Sequence, residues 1–183
     1  RLLSEYNCKT AVLESGCDVA MGATRANSAI VHAGYDCKPG TLKARLNVRG
    51  NKLMKEIAEE LGVACRSVGS HVVGFGEDDA RPLRELYERG LANGVPDLRL
   101  IGREELQAME PNISPAASMS LWAPTAAITC PYGLTIAAAE CAASNGVDFY
   151  FQFKVTDVSH AGDIYYITNG ENTIAARYVV NCA

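Results

Sequence analysis

No two cysteines in this chain are spaced as a metal clamp. The seven, Cys8, Cys17, Cys37, Cys65, Cys130, Cys141 and Cys182, are scattered singly with no Cys-x-x-Cys among them. A zinc site built on paired ligands is therefore not expected, and no metal is assigned. The count is odd and the chain large for a disulfide scaffold, so the thiols read as reduced, small apolar groups in a cytoplasmic protein. No uninterrupted apolar run approaches the roughly 20 residues of a membrane-spanning helix. The most apolar helical stretch, Ile136 to Ala143, is broken by Glu140. Cationic excess is lacking as well: 17 Lys and Arg stand against 21 Asp and Glu, a net charge of −4. A nucleic-acid partner is not expected from that balance. Repeats, low-complexity tracts and linkers are also missing.

What is present is ordinary globular material, 48% hydrophobic and 21% charged over 183 residues, enough for one substantial domain or two small ones. The chain opens on Arg1-Leu2-Leu3 and closes on the apolar run Tyr178 to Cys182. Both ends read as cuts through structured elements, and a fragment of a longer protein is expected.

Along the chain, Leu2, Leu3 and Tyr6 suggest the end of a helix, and Thr10 to Leu13 a short strand ending in Glu14. Residues 15–29 are loop-like. Thr41 suits an N-cap, and Leu42, Leu46, Leu53, Ile57 and Leu61 recur at helical spacing up to a stop at Gly62. Ser67 to Gly76 reads as a strand pair or one bent strand. Asp78 and Asp79 open a helix that stops at Asn93-Gly94. A strand at Leu98 to Ile101, a helix at Arg103 to Met109 and a strand at Met119 to Ala123 follow. Pro131 starts another helix, ending at Ser144-Asn145-Gly146. Val147, Phe149, Phe151, Phe153 and Val155 then alternate with polar residues and tyrosine, which predicts one strand over 147–155. Asp163 to Thr168 and Thr173 to Val180 extend it as a meander around an Asn169-Gly170 turn. The mixture is α/β or α+β.

Three places could carry chemistry. Glu14 ends a strand, where an acid either accepts hydrogen bonds from a nucleotide ribose or caps the strand in solvent. The run Gly22-Ala23-Thr24-Arg25-Ala26-Asn27-Ser28 is small and polar. Such a run lets backbone approach a phosphate, and is equally the composition of a surface loop. His32-Ala33-Gly34 sets an imidazole among small residues, suited to lie against a flat ring or to pack as a bonded core histidine.

These residues carry a resemblance. Val12-Leu13-Glu14, the run Ala26 to Tyr35, and Lys38-Pro39-Gly40-Thr41-Leu42-Lys43-Ala44 resemble the FAD-dependent oxidoreductases of the D-amino-acid-oxidase superfamily. Within it the chain is most similar to the glycerol-3-phosphate dehydrogenase and L-2-hydroxyglutarate dehydrogenase group. Glu110-Pro111-Asn112-Ile113, Ala123-Pro124-Thr125, Cys130-Pro131-Tyr132 and the final Val179 to Ala183 are similar to the same group. The resemblance covers essentially the whole chain. It implies a partial Rossmann-like FAD-binding domain with a mixed-sheet substrate domain inserted. Residues 1–69 and 131–183 would be cofactor domain, and 70–130 substrate domain.

By the same resemblance Glu14 would bind the adenosine ribose. Thr24, Asn27 and Ser28 would lie along the pyrophosphate and ribityl chain. His32, Ala33 and Gly34 would sit near the isoalloxazine, and Val155 would offer backbone groups to the adenine. The implied reaction is oxidation of a secondary alcohol by hydride transfer to the flavin, with His32 as base or orienting group. The implied partners are a small phosphorylated polyol or hydroxy acid and an electron acceptor. The alternatives are an L-2-hydroxyglutarate dehydrogenase or oxidase of the same fold, or a non-catalytic flavin-fold binding module. The chain departs from the family pattern in three ways. The glycine-rich phosphate loop is not in this sequence. Ala29 and Ala127 stand where relatives often carry Gly, and Arg25 where a small residue is expected.

Overall fold

Thr41 leaves the extended conformation of the loop before it and accepts the Ala44 N–H on Oγ1 at 3.2 Å, which starts helix α1, Leu42–Glu60. The computed structural model describes residues 1–182. Ahead of α1 lie a 3-10 turn at Leu2–Glu5, strand β1 (Ala11–Leu13), a second 3-10 turn at Ala23–Arg25 and strand β2 (Ile30–Val31). After it come β3 (Cys65–Arg66), β4 (Ser70–Gly74), α2 (Ala80–Ala92), β5 (Arg99–Gly102), α3 (Arg103–Met109), β6 (Met119–Ala123) and β7 (Ala127–Thr129). The chain ends with α4 (Pro131–Ser144), β8 (Asp148–Tyr150), β9 (Asp157–Ala161), β10 (Ile164–Thr168) and β11 (Thr173–Ala176).

The leucine face expected of α1 is not the face it buries. Leu42, Leu46 and Leu53 are exposed, whereas Ala44, Asn51 and Ala58 are buried. These three recur every seven residues, which keeps them on one stripe. Alanines let the helix approach its neighbours closely, and the one polar member is hydrogen-bonded. Gly62, at φ +67, ends the helix in the left-handed conformation that its sequence position suggested.

Residues divide into two compact units, Arg1–Asn27 with the chain from Thr135 on, and Ser28–Leu134. Residues 28–69 thus group with 70–134, not with residues 1–27, because β2 and β3 both pair with β7. In the unit of Ser28–Leu134 two three-stranded sheets run in the orders β2-β7-β3 and β4-β6-β5. Every ladder in them is antiparallel. Alternation along β6 sends Leu121 and Ala123 to one face, into a core with Ala33, Leu83, Val95, Leu98 and Ala126. Trp122 goes to the other face, against Ile101, Leu106 and Ala117.

In the unit of Arg1–Asn27 and the chain from Thr135, β1 and β8 pair in parallel, Ala11 opposite Asp148 and Leu13 opposite Tyr150. The strand expected over 147–155 is only three residues long. Gln152 adopts φ +55, and this turn ends the ladder. Beyond it Gln152 N–H donates to Gly16 O at 2.8 Å and Phe153 N–H to Glu14 O at 2.9 Å. Phe153 and Val147 are buried as the alternation required, but Phe151 and Val155 are exposed. The meander is antiparallel, β9-β10-β11. Its first strand went unrecognised in the sequence because all five of its residues are exposed and carry no apolar alternation. Its last stops at Ala176, short of Val180. The Asn169-Gly170 turn forms, with Asn169 Oδ1 accepting the N–H groups of Glu171 and Asn172. No described helix is long and apolar enough to cross a membrane.

Candidate functional site

Glu14 follows directly on β1, at the carboxyl end of a parallel pair, the end of such sheets at which ligands bind. The backbone N–H of Glu14 continues the ladder to Tyr150 O at 3.0 Å. Its carboxylate Oε1 accepts the Gly16 N–H at 2.7 Å and the Ser15 hydroxyl at 3.2 Å. Both bonds fall on one oxygen, and Oε2 has no protein donor among the described residues. A carboxylate steadied through one oxygen and open at the other is suited to accept sugar hydroxyls. Val155 lies beyond the turn at Gln152 and is 42% exposed. Neither its N–H nor its C=O has a partner among the described residues, although Phe153 and Thr156 on either side are bonded to Glu14 and Thr168. This leaves a donor–acceptor pair for a planar base edge.

Thr24 lies in the second 3-10 turn, and Thr24 O accepts Asn27 Nδ2 at 2.7 Å. Asn27 also reaches Ala23 O at 3.3 Å, so its amide folds the loop back on itself. Thr24 and Asn27 are exposed. Arg25 places Nη1 3.8 Å from Met21 Sδ. Glu14, Thr24, Asn27 and Val155 all belong to one unit; Ser28, His32, Ala33 and Gly34 belong to the other.

In that second unit Ala29 is held at φ +61, a conformation glycine takes freely and alanine does not. The departure from the family's glycine thus falls where it strains the backbone leading into β2. Ser28 is exposed. His32 follows β2, is exposed, and its ring nitrogens have no partner among the described residues. Ala33 is 2% exposed and sits in the core. Gly34 is buried at φ +103, and a methyl there would come within 2.9 Å of Val48 Cγ2. The segment therefore lies tight against α1, which only glycine permits at that point. Cys37 is buried beside it; burial first, then the Asp36 carboxylate, pushes its thiol up. A thiolate nucleophile is not what this site offers.

Sequence reasoning overlooked Asn51, Lys55 and Thr125. Asn51 Nδ2 and Lys55 Nζ converge on Thr125 O at 2.9 and 3.0 Å, and the Thr125 hydroxyl is buried without a partner. Only the polar residue inside an alanine stripe could have signalled Asn51. A groove of about 670 Å³ between α1 and the end of α2 is lined by Thr41, Arg45, Val48, Arg49 and Asn93. It contains none of the residues expected to hold a cofactor. Among the described residues no cluster of three or more His, Cys, Asp or Glu is gathered as for a metal ion.

Within the unit of Arg1–Asn27 and the chain from Thr135, the residues present fit the adenosine half of an adenine dinucleotide: an open carboxylate oxygen at a strand's carboxyl end and an unpaired backbone edge at Val155. The comparisons bear on the family and its cofactor. The chain is 44% identical over all its 183 residues to a glycerol 3-phosphate dehydrogenase of Caloramator mitchellensis, spanning 38% of that protein. It is 37% identical to human mitochondrial L-2-hydroxyglutarate dehydrogenase over 60% of this chain and 24% of that protein. Among solved structures it resembles the dithionite-reduced L-alpha-glycerophosphate oxidase of Mycoplasma pneumoniae with FAD bound. The TM-score is 0.85 at 26% identity, covering 91% of this chain and 44% of that one. The chain thus spans less than half the length of each of these relatives. Residues 1–183 match the DAO family of FAD-dependent oxidoreductases from end to end, and the chain belongs to that family.

Proposed function

We propose that this chain acts as part of an FAD-dependent dehydrogenase that oxidises glycerol 3-phosphate to dihydroxyacetone phosphate. The observation that carries the reading is the polar arrangement after β1 and β8. Glu14 keeps one carboxylate oxygen open while Val155 keeps both backbone groups open, as the adenosine half of the cofactor requires. Identity of 44% over the full chain to a glycerol 3-phosphate dehydrogenase supports the substrate.

In this reading Glu14 accepts the ribose hydroxyls and Val155 pairs with the adenine edge. Thr24, Asn27 and Ser28 line the pyrophosphate and ribityl chain. Ala33 and Gly34 are placed near the flat ring by the resemblance, and would meet it through their backbone, since Ala33 is 2% exposed and Gly34 is buried against α1. FAD, when bound, supplies the two-electron acceptor for the hydride. His32 takes the hydroxyl proton on a ring nitrogen; a neutral imidazole nitrogen is a proton acceptor, and the ring is exposed with no partner among the described residues. Residues 70–130 contribute to the substrate domain.

The test is anaerobic titration of the FAD-loaded full-length protein with sn-glycerol 3-phosphate and, separately, with L-2-hydroxyglutarate. Bleaching of the flavin by the first is expected. Bleaching by the second alone transfers the assignment to the hydroxy-acid reading, which the 37% identity to the human enzyme favours. A protein that holds FAD and is bleached by neither would be a binding module. Reoxidation of the bleached flavin by air would separate oxidase from dehydrogenase.

A further inference from the structure

The carbonyls between Val31 and Cys37 are held by side chains from two helices. Asn51 on α1 places Nδ2 3.1 Å from His32 O, 2.9 Å from Thr125 O and 3.4 Å from Val31 O. An amide has two hydrogens, so the two short contacts take them and Val31 shares. Asn93, capping α2, donates Nδ2 to Gly34 O at 2.9 Å and Cys37 O at 2.7 Å. Arg89 Nη1 adds Asp36 O at 3.2 Å. The backbone N–H groups of residues 32–36 have no acceptor among the described residues, although Ala33 is 2% exposed and Gly34 is buried; a turn over Tyr35–Asp36 ends the unpaired run before Cys37. Buried N–H groups are seldom left unpaired in a finished site.

The carbonyls of His32, Gly34, Asp36 and Cys37 are thus engaged by side chains, whereas the N–H groups of residues 32–36 are not. A backbone whose carbonyls are tied back and whose N–H groups remain free is an edge prepared for an acceptor-rich ligand. The asparagines are unlike surface polar groups. Asn51 is 7% exposed within an alanine stripe, where an amide is retained at a desolvation cost that its hydrogen bonds must offset.

We propose that Asn51 and Asn93 are positioning residues for the reacting segment. From α1 and α2 they hold its carbonyls, fixing the direction of the His32 imidazole and presenting the free N–H groups of residues 32–36 to the cofactor ring and substrate. The role at the ring rests on the flavoenzyme reading above; the clamp itself does not.

The test compares Asn51→Leu, which keeps volume and removes the donors, with Leu106→Ala. The second empties part of the core on the other face of the β4-β6-β5 sheet. The amides of residues 31–37 exchange through opening of the buried segment, and in Asn51→Leu that exchange should rise on the order of tenfold or more, the scale of one buried hydrogen bond no longer opposing the opening. It should stay near wild type in Leu106→Ala at matched stability. In the FAD-loaded full-length protein, the rate of flavin reduction should fall by a similar factor in Asn51→Leu, with half-saturation by substrate within about twofold.

Exchange over 31–37 that rises no more in Asn51→Leu than in Leu106→Ala overturns the clamp. Raised exchange with an unchanged reduction rate overturns the positioning role. Should Asn51→Leu not fold, Asn93→Ala reads the same segment from α2, and unaltered exchange there is equally decisive against it. If no alcohol bleaches the flavin of the wild-type protein, the functional reading falls while the exchange comparison still decides the clamp.

Discussion

The two compact units differ in how they use their polar groups and buried hydrophobics. In Ser28–Leu134 much of the interior polar material is spent on the chain itself: Asn51 and Asn93 on backbone carbonyls, the Thr129 hydroxyl on Ala64 O at 3.0 Å, and His71 Nδ1 with Ser120 Oγ at 2.9 Å. Thr125 Oγ1, Asn93 Oδ1 and His71 Nε2 are buried there without a partner among the described residues. In Arg1–Asn27 with the chain from Thr135, the telling groups are the ones left over, Glu14 Oε2 and the backbone of Val155. The buried hydrophobics divide in the same way. Only Ala142, Val147, Phe153 and Ile167 are buried in the latter unit among the described residues, and the remaining core belongs to the former. Among the described residues the unit of Ser28–Leu134 thus holds most of the core, so substitution at a packed position such as Gly69 should cost stability first, whereas substitution of Glu14 in the other unit should cost ligand affinity first.

The largest effect is expected at Gly69. It sits at φ +72, and an added methyl would fall 1.8 Å from Trp122 Cη2. Trp122 cannot turn away freely, because its ring stacks on His71 with centroids 4.4 Å apart. Left-handed backbone strain and forced overpacking together put the cost of Gly69→Ala at about 3 kcal/mol. Chemical denaturation should show it as a lowered midpoint with an unchanged slope. A loss below about 1 kcal/mol would mean that the β4-β6 face is looser than its geometry says.

Glu14→Gln is the counterpart in the other unit. Glutamine keeps the shape and an acceptor for Gly16 but removes the charge. FAD affinity of the full-length protein should drop by roughly tenfold to a hundredfold, the worth of a charged hydrogen bond. The melting temperature of the cofactor-free protein should barely move, since the carboxylate is partly exposed and its local bonds are to a turn. A large stability loss with unaltered affinity would reverse the comparison.

How much of this was legible beforehand depended on whether periodicity or tertiary contact decided the element. α3, α4 and β6 follow their sequence signals almost residue for residue, and Thr41 caps α1 as its chemistry demands. Strands β2, β3 and β7 are two or three residues each and exist through pairing with one another, so no local pattern announces them. The alternation from Val147 to Val155 was real, but Gln152 broke the strand, and nothing in that residue type favours a positive φ. α1 shows the sharper failure. Leucines at helical spacing marked the wrong stripe, because a helix that packs closely needs alanines, and the contact surface is chosen by its neighbours. At the candidate site, Glu14 was a candidate from its place at a strand end and from the resemblance, Val155 from the resemblance alone, and their open hydrogen-bonding groups emerge only from the fold. Asn51 and Asn93 were passed over, since an asparagine that ties distant backbone together has no signature in its own surroundings.

His71 gives a pH-dependent version of the same contrast. Burial lowers its imidazole below the ordinary value of 6.5, with Glu110 opposing, and Nε2 is buried without a partner. The folded protein thus prefers the neutral ring more than the unfolded chain does. Stability of the unit is full above about pH 6.5 and declines as pH falls from there towards the depressed folded value, where the unfolded chain binds the additional proton. Denaturation midpoints between pH 8 and pH 5 should decline in the wild type, and less steeply in His71→Gln. Identical pH profiles would remove His71 from the interior it is placed in.

The smallest effect runs the other way, towards greater stability, and touches the segment proposed to face the substrate. Ala29 is held at φ +61 while its carbonyl accepts the Thr129 N–H at 3.1 Å, so the β2-β7 pairing holds it in a conformation alanine avoids. Replacing it with glycine relieves about 1–2 kcal/mol of left-handed strain and returns roughly half to one of those through the freer unfolded chain. Ala29→Gly should therefore stabilise the protein by about 0.5–1 kcal/mol, a rise of a few degrees at most in melting temperature. Strain at such a position survives when the surroundings over-determine it, and here they do so three residues before His32. If Ala29→Gly is stabilising but slows flavin reduction, the strained alanine helps to aim the segment. If it is stabilising and leaves the rate unchanged, aiming belongs to Asn51 and Asn93, and the methyl is merely tolerated.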